Sequence, residues 1–317
     1  MRLRTRFFLC FSATVLVSVT LVAYGVTHYT RAALGEMDAQ RIEALVAQFK
    51  KQFSRCGNEV GEQVENIAGA EITLRMALEL ARPNADRSLY VRDAFGAAHD
   101  QRLNFVEIVS WDGTVISSSQ DPSRVGHKNN WILATKNWND SPAFFKTEQF
   151  ADGEDLTLTA LRSVSVRSDR NLYIIGGRRI DKSFLSSLVL PSGMRALLYR
   201  NLDERQFVPA DLTDANGAAD QANRFGPLID RVHNHPQPFV QTINWTSDPA
   251  SAETFHVMPL LGHDKELLGV LLVGTSLRDS VLLMQRISRI AVRVAAAALL
   301  AGLLTGWWVS SRISLPG

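Results

Sequence analysis

Imidazoles and thiols are the side chains whose chemistry depends most on spacing, and this chain has few of them: 7 histidines and 2 cysteines in 317 residues. His233 and His235 stand two apart, with His256 and His263 further along, a set able to place imidazoles around a metal ion. A spacing of two with no acidic or cysteine partner is a weak metal signature. His233-Asn234-His235-Pro236 is therefore taken as a polar loop, and no metal is expected. Cys10 lies in an apolar run and Cys56 in a helical pattern, so neither a disulfide framework nor a cysteine-based zinc site can be built from them. Phosphate binding would call for a P-loop or a glycine-rich dinucleotide turn, and acyl transfer for a serine nucleophile elbow; the chain has none of these. Gly176-Gly177 ends an apolar strand pattern and reads as a bulge or turn, not a phosphate cradle. Asn244-Trp245-Thr246 matches a glycosylation sequon, which carries meaning only in a host that glycosylates such sites. No catalytic residue and no cofactor is expected, which directs attention to binding.

Composition narrows the class. Hydrophobic residues make up 46% and charged residues 21%, with 20 Gly and 11 Pro, which excludes a disordered or collagen-like chain. A net charge of +2 is too balanced for a protein that grips nucleic acid by neutralising many phosphates. The average conceals an uneven distribution, because the apolar residues concentrate at the two ends. Residues 7–29 contain no Asp, Glu, Lys or Arg, and these 23 residues as a helix would span roughly 34 Å, enough for a bilayer core. Arg2, Arg4 and Arg6 precede them and only Arg31 follows closely, which keeps residues 1–6 in the cytoplasm by the positive-inside rule. A cleaved signal peptide, with Ala23-Tyr24-Gly25 as its cleavage site, is the competing reading. The apolar run exceeds the usual 7–15 residues of such a peptide, which favours an anchor.

Residues 290–309 form the second expected span, within a helix over 286–310. Trp307-Trp308 sits at its far end as an interfacial belt, and Arg293 can snorkel from the near end. Arg286, Arg289 and Arg293 would then lie outside against Arg312 inside, an opposing bias that the first span is expected to override.

Between the spans, residues 30–80 read as a long helix. Ile42, Phe49 and Cys56 recur every seven residues, interleaved with Val46, Phe53, Val60 and Ile67, and the stripe slips near Val64. Lys50, Lys51, Gln52, Arg55, Glu59 and Glu62 make a solvated face, and Gly57, Gly61 and Gly69 weaken the helix. The stripe fits a partner chain and its own domain's sheet equally well. From residue 105 the period becomes that of strands. Residues 105–110 and 115–119 flank the hairpin signal Asp112-Gly113, since glycine accepts the positive φ such a turn needs. Strands over 144–150, 156–167 and 172–178 and a short helix over 182–190 complete one unit. A second unit repeats the order: strands at 194–199 and 205–209 around a turn at 201–204, a loop over 211–223, a helix starting at Pro227, then strands at 239–245, 254–261 and 267–276.

This order, under a long helix and between two spans, resembles the double Cache family of bacterial receptors, whose extracytoplasmic region holds tandem PAS-like domains. The matching residues are Trp111-Asp112-Gly113-Thr114-Val115, Asp121-Pro122-Ser123-Arg124-Val125-Gly126, and Leu267-Leu268-Gly269-Val270-Leu271-Leu272-Val273. Ser311-Arg312-Ile313-Ser314-Leu315-Pro316 is similar to the start of a HAMP linker, although Gly317 departs from the bulky apolar residue usual there. The resemblance implies an α+β fold with a long N-terminal helix and two PAS-like domains, each on an antiparallel five-stranded sheet, flanked by two transmembrane helices. Its segments are the cytoplasmic residues 1–6, a first span at 7–29, the helix at 30–80, a membrane-distal domain at 81–190, a membrane-proximal domain at 191–285, helix and second span at 286–310, and the linker start at 311–317. The nucleotide boxes and phosphorylated histidine of a histidine kinase are matched nowhere, so the chain is expected to be the sensory part of such a kinase. A chemoreceptor, a cyclic-dinucleotide enzyme or a tethered binding protein without an output domain are the alternatives.

The resemblance further implies that a small molecule sits between the distal sheet and its helix-loop cover. There the chain offers Lys128, Trp131, Trp138 and Phe144 from the cover region, Tyr173 from the sheet, and Arg162 and Asp181 for charge. Aromatic walls with a few polar groups are how small-molecule pockets are usually built, though each ring taken singly also fits a plain core role. The family's amino-acid-binding subset carries an Arg, Trp-Tyr, Ala pattern that Lys136-Asn137-Trp138-Asn139 does not reproduce. The implied partners are an unidentified small ligand, membrane lipid, a second copy of the chain, and a response regulator acting through the cytoplasmic part. The implied location is the bacterial inner membrane, with residues 31–289 outside.

Overall fold

The structure is a computed structural model that describes residues 3–82, 85–134, 137–167, 170–188, 190–200 and 206–312. In chain order the elements are α1 (Leu3–Gly69), α2 (Glu71–Leu80), α3 (Asp93–Gln101), β1 (Phe105–Val109), β2 (Val115–Ser118), β3 (Phe144–Phe150), β4 (Gly153–Arg167), β5 (Arg170–Arg179), α4 (Lys182–Ser187), β6 (Met194–Tyr199), β7 (Leu212–Asp214), β8 (Gly217–Ala218), α5 (Gly226–Asn234), β9 (Phe239–Asn244), β10 (Ala252–Leu261), β11 (Leu267–Ser276) and α6 (Arg278–Arg312). They form two compact units. One gathers Val46–Ile243 with Thr254–Thr275; the other gathers the described residues of Met1–Leu45 and Ser276–Gly317 with Asn244–Glu253.

The larger unit holds both sheets. The first has five antiparallel strands in the order β2-β1-β5-β4-β3. Alternation along a strand gives this sheet two distinct faces. Val106, Ile108, Ala160, Val164 and Ile174 turn to one face and join Val60, Val64 and Ile67 of α1, Met76 and Leu80 of α2, and Ala94 and Ala98 of α3 in a single buried cluster. Each large apolar side chain fully buried there stabilises the fold by about 1.5–3 kcal/mol. Over these turns the helical stripe therefore packs on its own sheet. Phe53 joins it, with ring centroids 5.5 Å from Phe145 and 5.7 Å from Phe184. The side chains of Ile42 and Phe49 lie outside the described set.

Close packing explains both Gly176 and Gly177, the first against α1 and the second within the sheet itself. They form neither a bulge nor a turn but lie inside β5, paired in register with Val106 and Phe105. A Cβ at Gly176 would stand 2.9 Å from Leu103 and 3.0 Å from Val64; one at Gly177 would meet the Leu158 carbonyl at 2.5 Å and the Phe105 ring at 2.7 Å. The helix expected to run unbroken to residue 80 ends at Gly69. Ala70 is extended (φ −66, ψ 142), and α2 restarts with Met76, Ala77 and Leu80 turned into the core.

The second sheet carries six strands, β8-β7-β6-β11-β10-β9, against the five expected. The addition is a small hairpin in the stretch expected to be loop. The Asp214 carboxylate accepts from the Asn216 and Gly217 N–H groups (2.7 and 3.0 Å), and Gly217 takes φ 136, a conformation open mainly to glycine. The strand expected at 205–209 is not formed over 206–208. Residues 209–211 make a 3-10 turn instead, and the Val208 N–H donates to the Tyr199 hydroxyl at 3.1 Å. Residue 205 and the turn expected at 201–204 lie outside the described residues, as do residues 313–317 of the linker-like segment. The buried apolar cluster of the first sheet continues without interruption into Ala196, Leu198, Leu260, Leu271 and Val273 of the second.

In the smaller unit α1 and α6 come close. A Cβ on Gly302 would lie 2.7 Å from Val15, and Val19, Val22, Val26, Ile290 and Val294 line an apolar groove between the two helices. Among the described residues one helix is long and apolar enough to cross a membrane, Arg278–Trp308, and residues 13–26 form a shorter apolar stretch of α1.

Candidate functional site

The second face of the first sheet lies under the loop that joins β2 to β3. That loop leaves β2 through a 3-10 turn, Pro122–Arg124, where the Asp121 carboxylate accepts the Ser123 N–H at 3.0 Å. It returns through a second such turn, Asn130–Ala134. Its anchor on the β1–β2 hairpin is Asp112. The carboxylate accepts from the Ser110 hydroxyl (2.6 Å), the Thr114 N–H (3.1 Å) and Lys128 (3.0 Å), while Lys128 also donates to the Asp112 carbonyl at 2.8 Å. Burial works to raise the Asp112 pKa, but the hydrogen bonds from Ser110, Lys128 and Thr114 outweigh it and hold it well below the usual carboxylate range. Gly113 meets the turn's requirement at φ 80.

Under the loop is an aromatic cluster. Trp138 is fully buried, and its indole N–H donates to the Ile132 carbonyl at 2.8 Å. Its ring stands 5.5 Å from Trp131, edge to face, and 6.0 Å from Phe144. Phe105, Phe150, Leu161 and Ile175 of the sheet complete the cluster, with Tyr173 and Trp131 packed at its margin.

Beside the rings lies a buried polar set that the sequence reading missed. Glu107 is 2% exposed and Glu148 is 4% exposed, on β1 and β3. Arg124 from the loop reaches both, at 3.4 Å to Glu107 and 2.9 Å to Glu148, and Lys146 pairs with Glu148. Asn129 donates to Glu107 at 2.6 Å, and Gln120 stands 3.5 Å from it with its carbonyl oxygen buried and unpartnered among the described residues. Burial pushes the Glu107 carboxyl up, and Glu148 adds to this, while Arg124, Asn129 and Lys146 pull it back. For Arg124, burial works to lower the pKa, but the two carboxylates outweigh it and raise it, so the guanidinium stays charged. One signal could have revealed the set: Glu107 is the lone charge in Phe105-Val106-Glu107-Ile108-Val109, in a strand buried at every position.

Of the seven residues singled out from sequence, Trp131, Trp138 and Phe144 come together and Tyr173 borders them. Lys128 is spent on Asp112 at the loop's edge. Arg162 belongs to the α1 face, between Ala160 and Val164. From there its guanidinium donates to the carbonyls of Leu161 (2.9 Å), Ser141 (3.2 Å) and Trp138 (3.4 Å), with Gly61 of α1 against it and its Nε buried without a hydrogen-bond partner among the described residues. Asp181 is the N-cap of α4, accepting the Phe184 N–H at 3.0 Å.

The histidines do not converge. His233 and His235 are exposed at the end of α5, and His256 is half-buried on β10 with its pKa lowered by burial and by Lys50. No group of three His, Cys, Asp or Glu among the described residues is placed to hold a metal ion. Cys56 is a free thiol whose pKa is raised by burial and by Glu59. What the cover face holds is apolar and aromatic contact beside charge-compensated hydrogen-bonding groups.

No family model and no curated protein matches the chain. Several solved structures are similar to it in fold. The extracellular domain designated histidine kinase vpHK1S-Z8 is 11% identical with a TM-score of 0.47, over 77% of this chain and 96% of that one. The sensor domain of the V. cholerae histidine kinase DctB is 12% identical with a TM-score of 0.34, over 78% and 98%. The ligand-binding domain of Mlp24, solved with asparagine, is 8% identical with a TM-score of 0.38, over 78% and 98%.

Proposed function

We propose that this chain is the extracytoplasmic sensing and membrane-spanning region of a bacterial receptor of the double Cache kind, with a histidine kinase as its output. The observation that supports this best is the order of parts along one chain. A single helix, α1, carries the uncharged residues 7–29 near its start and the stripe that packs on the first sheet near its end. The last strand of the second sheet, β11, ends at Ser276, and α6 begins at Arg278 and continues as the apolar helix. Both sheets thus lie between two apolar segments. In this reading residues 31–289 are outside, the two spans cross the inner membrane, two copies associate through α1, and a response regulator acts on the cytoplasmic side. The ligand is a small molecule received by the first sheet and its cover, where Trp131, Trp138, Phe144 and Tyr173 supply ring contacts and Arg162 holds the cover in place.

Two measurements test the reading. A reporter fused at Gly217, the first residue of β8, is expected to read as exported; a cytoplasmic readout overturns the topology. A thermal-shift screen of small metabolites against the detergent-solubilised chain is expected to yield a stabilising ligand. If Trp131→Ala, Trp138→Ala and Arg162→Ala all leave that ligand's affinity unchanged, the site is not at the cover.

A further inference from the structure

The turn between β10 and β11 belongs to the second sheet but makes contacts on the first. It is a closed turn: the Gly262 N–H donates to the Glu266 carbonyl at 2.8 Å, the Lys265 N–H donates to the Gly262 carbonyl at 3.1 Å, and Lys265 takes φ 64. Gly262 forms a bridge to Phe145 on β3. The next residue, His263, lays its ring 4.9 Å from Trp138 and 5.1 Å from Phe144. One histidine from the second sheet is therefore packed, tilted, against two rings of the first sheet's cover, although it is itself exposed to solvent. The two sheets also meet where Arg200 pairs with Asp155 and where Gly269 leaves room for the Leu156 side chain, which would stand 3.1 Å from a Cβ there.

We propose that the 262–266 turn is a relay between the two sheets, with His263 as the part that reads the aromatic cover. The direction of signal flow rests on the sensing reading above; the coupling itself does not. Trp131, Trp138, Phe144 and His263 form a continuous chain of ring contacts, so none of the inner rings can change rotamer without displacing the next. β11 starts at Leu267, directly after the turn, and lies between β6 and β10 in its sheet, where it is held on both sides. A shift of the turn is thus passed along a strand that cannot bend to absorb it, and that strand leads after one residue into α6. Packed interfaces of this kind switch between discrete arrangements, which lets a small displacement be carried over a distance.

Hydrogen exchange on the unliganded, detergent-solubilised full chain tests the relay. With His263→Ala, amides of residues 137–145 and 262–266 are expected to exchange about tenfold faster, and amides of residues 278–284 at the start of α6 to accelerate with them, as local openings of one coupled unit. The β1–β5 ladder is expected to keep its protection, which shows that the variant remains folded. His263→Phe, which keeps a ring on Trp138, is expected to restore all three regions. If the cover and turn loosen while residues 278–284 do not respond, the turn is a static brace and the relay is wrong. If His263→Ala changes nothing, or if His263→Phe rescues no better than His263→Leu, the ring contact carries no coupling. Because no ligand is used, failure of a ligand screen cannot be mistaken for failure of the relay.

Discussion

Arg124→Met removes the one cation that bridges Glu107 and Glu148 while keeping most of the side-chain volume. Both carboxylates are almost fully buried, and the remaining cation, Lys146, pairs directly with Glu148 and acts on Glu107 less strongly than Arg124 does. Breaking a buried pair by deleting one partner costs about 3–5 kcal/mol. Arg124 is itself 23% exposed, which places the expected cost at the lower end, about 3 kcal/mol at pH 7. For a unit of this size that corresponds to a fall of about 6–12 °C in Tm. The cost should depend on pH with a definite sign. The folded-state pKa of Glu107 lies above its unfolded value near 4.5, so folding favours its neutral form. Its contribution is full below about pH 4.5 and is lost as pH rises through the raised folded value. Once Glu107 is protonated it no longer needs a cation, so the Arg124→Met penalty should fall by more than half between pH 7 and pH 4.5. Glu107→Gln should flatten that dependence, and the double variant should be more stable than Arg124→Met alone at pH 7. The assay is urea unfolding followed by the fluorescence of Trp131 and Trp138, which lie in the same domain. A cost below about 1 kcal/mol at pH 7, the range of exposed ion pairs, would refute the buried-bridge account. So would a penalty that does not change with pH.

Three further outcomes follow from the same geometry. Gly177→Ala forces a Cβ against the Leu158 carbonyl and the Phe105 ring and should destabilise by about 3 kcal/mol or more, read as a loss of Tm, whereas Gly126→Ala, with open space around it, should cost only its positive-φ strain of about 1–2 kcal/mol. Asp112→Asn should loosen the cover's anchor and raise exchange at residues 113–115 and 127–130. The stability that Asp112 supplies is present above its unfolded pKa and lost as pH falls through the lower folded one, so the variant's deficit should shrink in strong acid. In the receptor proposed above, inserting two glycines after Asp279 should uncouple α6 from β11. A ligand response of unchanged amplitude would show that rigid transfer through this helix is wrong.

Much of the fold can be read from local pattern because local pattern sets backbone geometry. Residues 105–109, 144–150 and 267–276 carry the β-branched and aromatic density of strands, and they are strands. Asp112-Gly113 needs positive φ and takes it, and Pro227 begins a helix where its missing N–H costs nothing. The uncharged stretch at residues 7–29 and the apolar run in α6 depend on composition alone. Patterns failed where the signal was shorter than an element. β7 and β8 together contain 5 residues and one deeply buried anchor, Leu212, and only the pairing partner β6 makes them strands.

The site depended on which residues distant in sequence come to share a face, and alternation shows that residues share a face without showing what lies opposite. The rings of Trp131, Trp138 and Phe144 were legible as a group because they fall within one loop and the strand after it. Arg162 falls on the opposite face from Leu161, and only the fold shows its guanidinium reaching the carbonyls of the cover from there. Glu107, Arg124, Asn129 and Glu148 lie on two strands and a loop, so their union is a product of register and loop closure. The same holds for His263, more than a hundred residues from Trp138 in sequence and packed against it in space. The sequence by itself determined the long helices, most strands and the apolar ends, because those depend on neighbours a few residues away; it showed neither α3 nor the break at Ala70. Tertiary structure alone decided which charges are buried together and which turn meets which ring, because those contacts exist only once two sheets and a long helix have closed on one another.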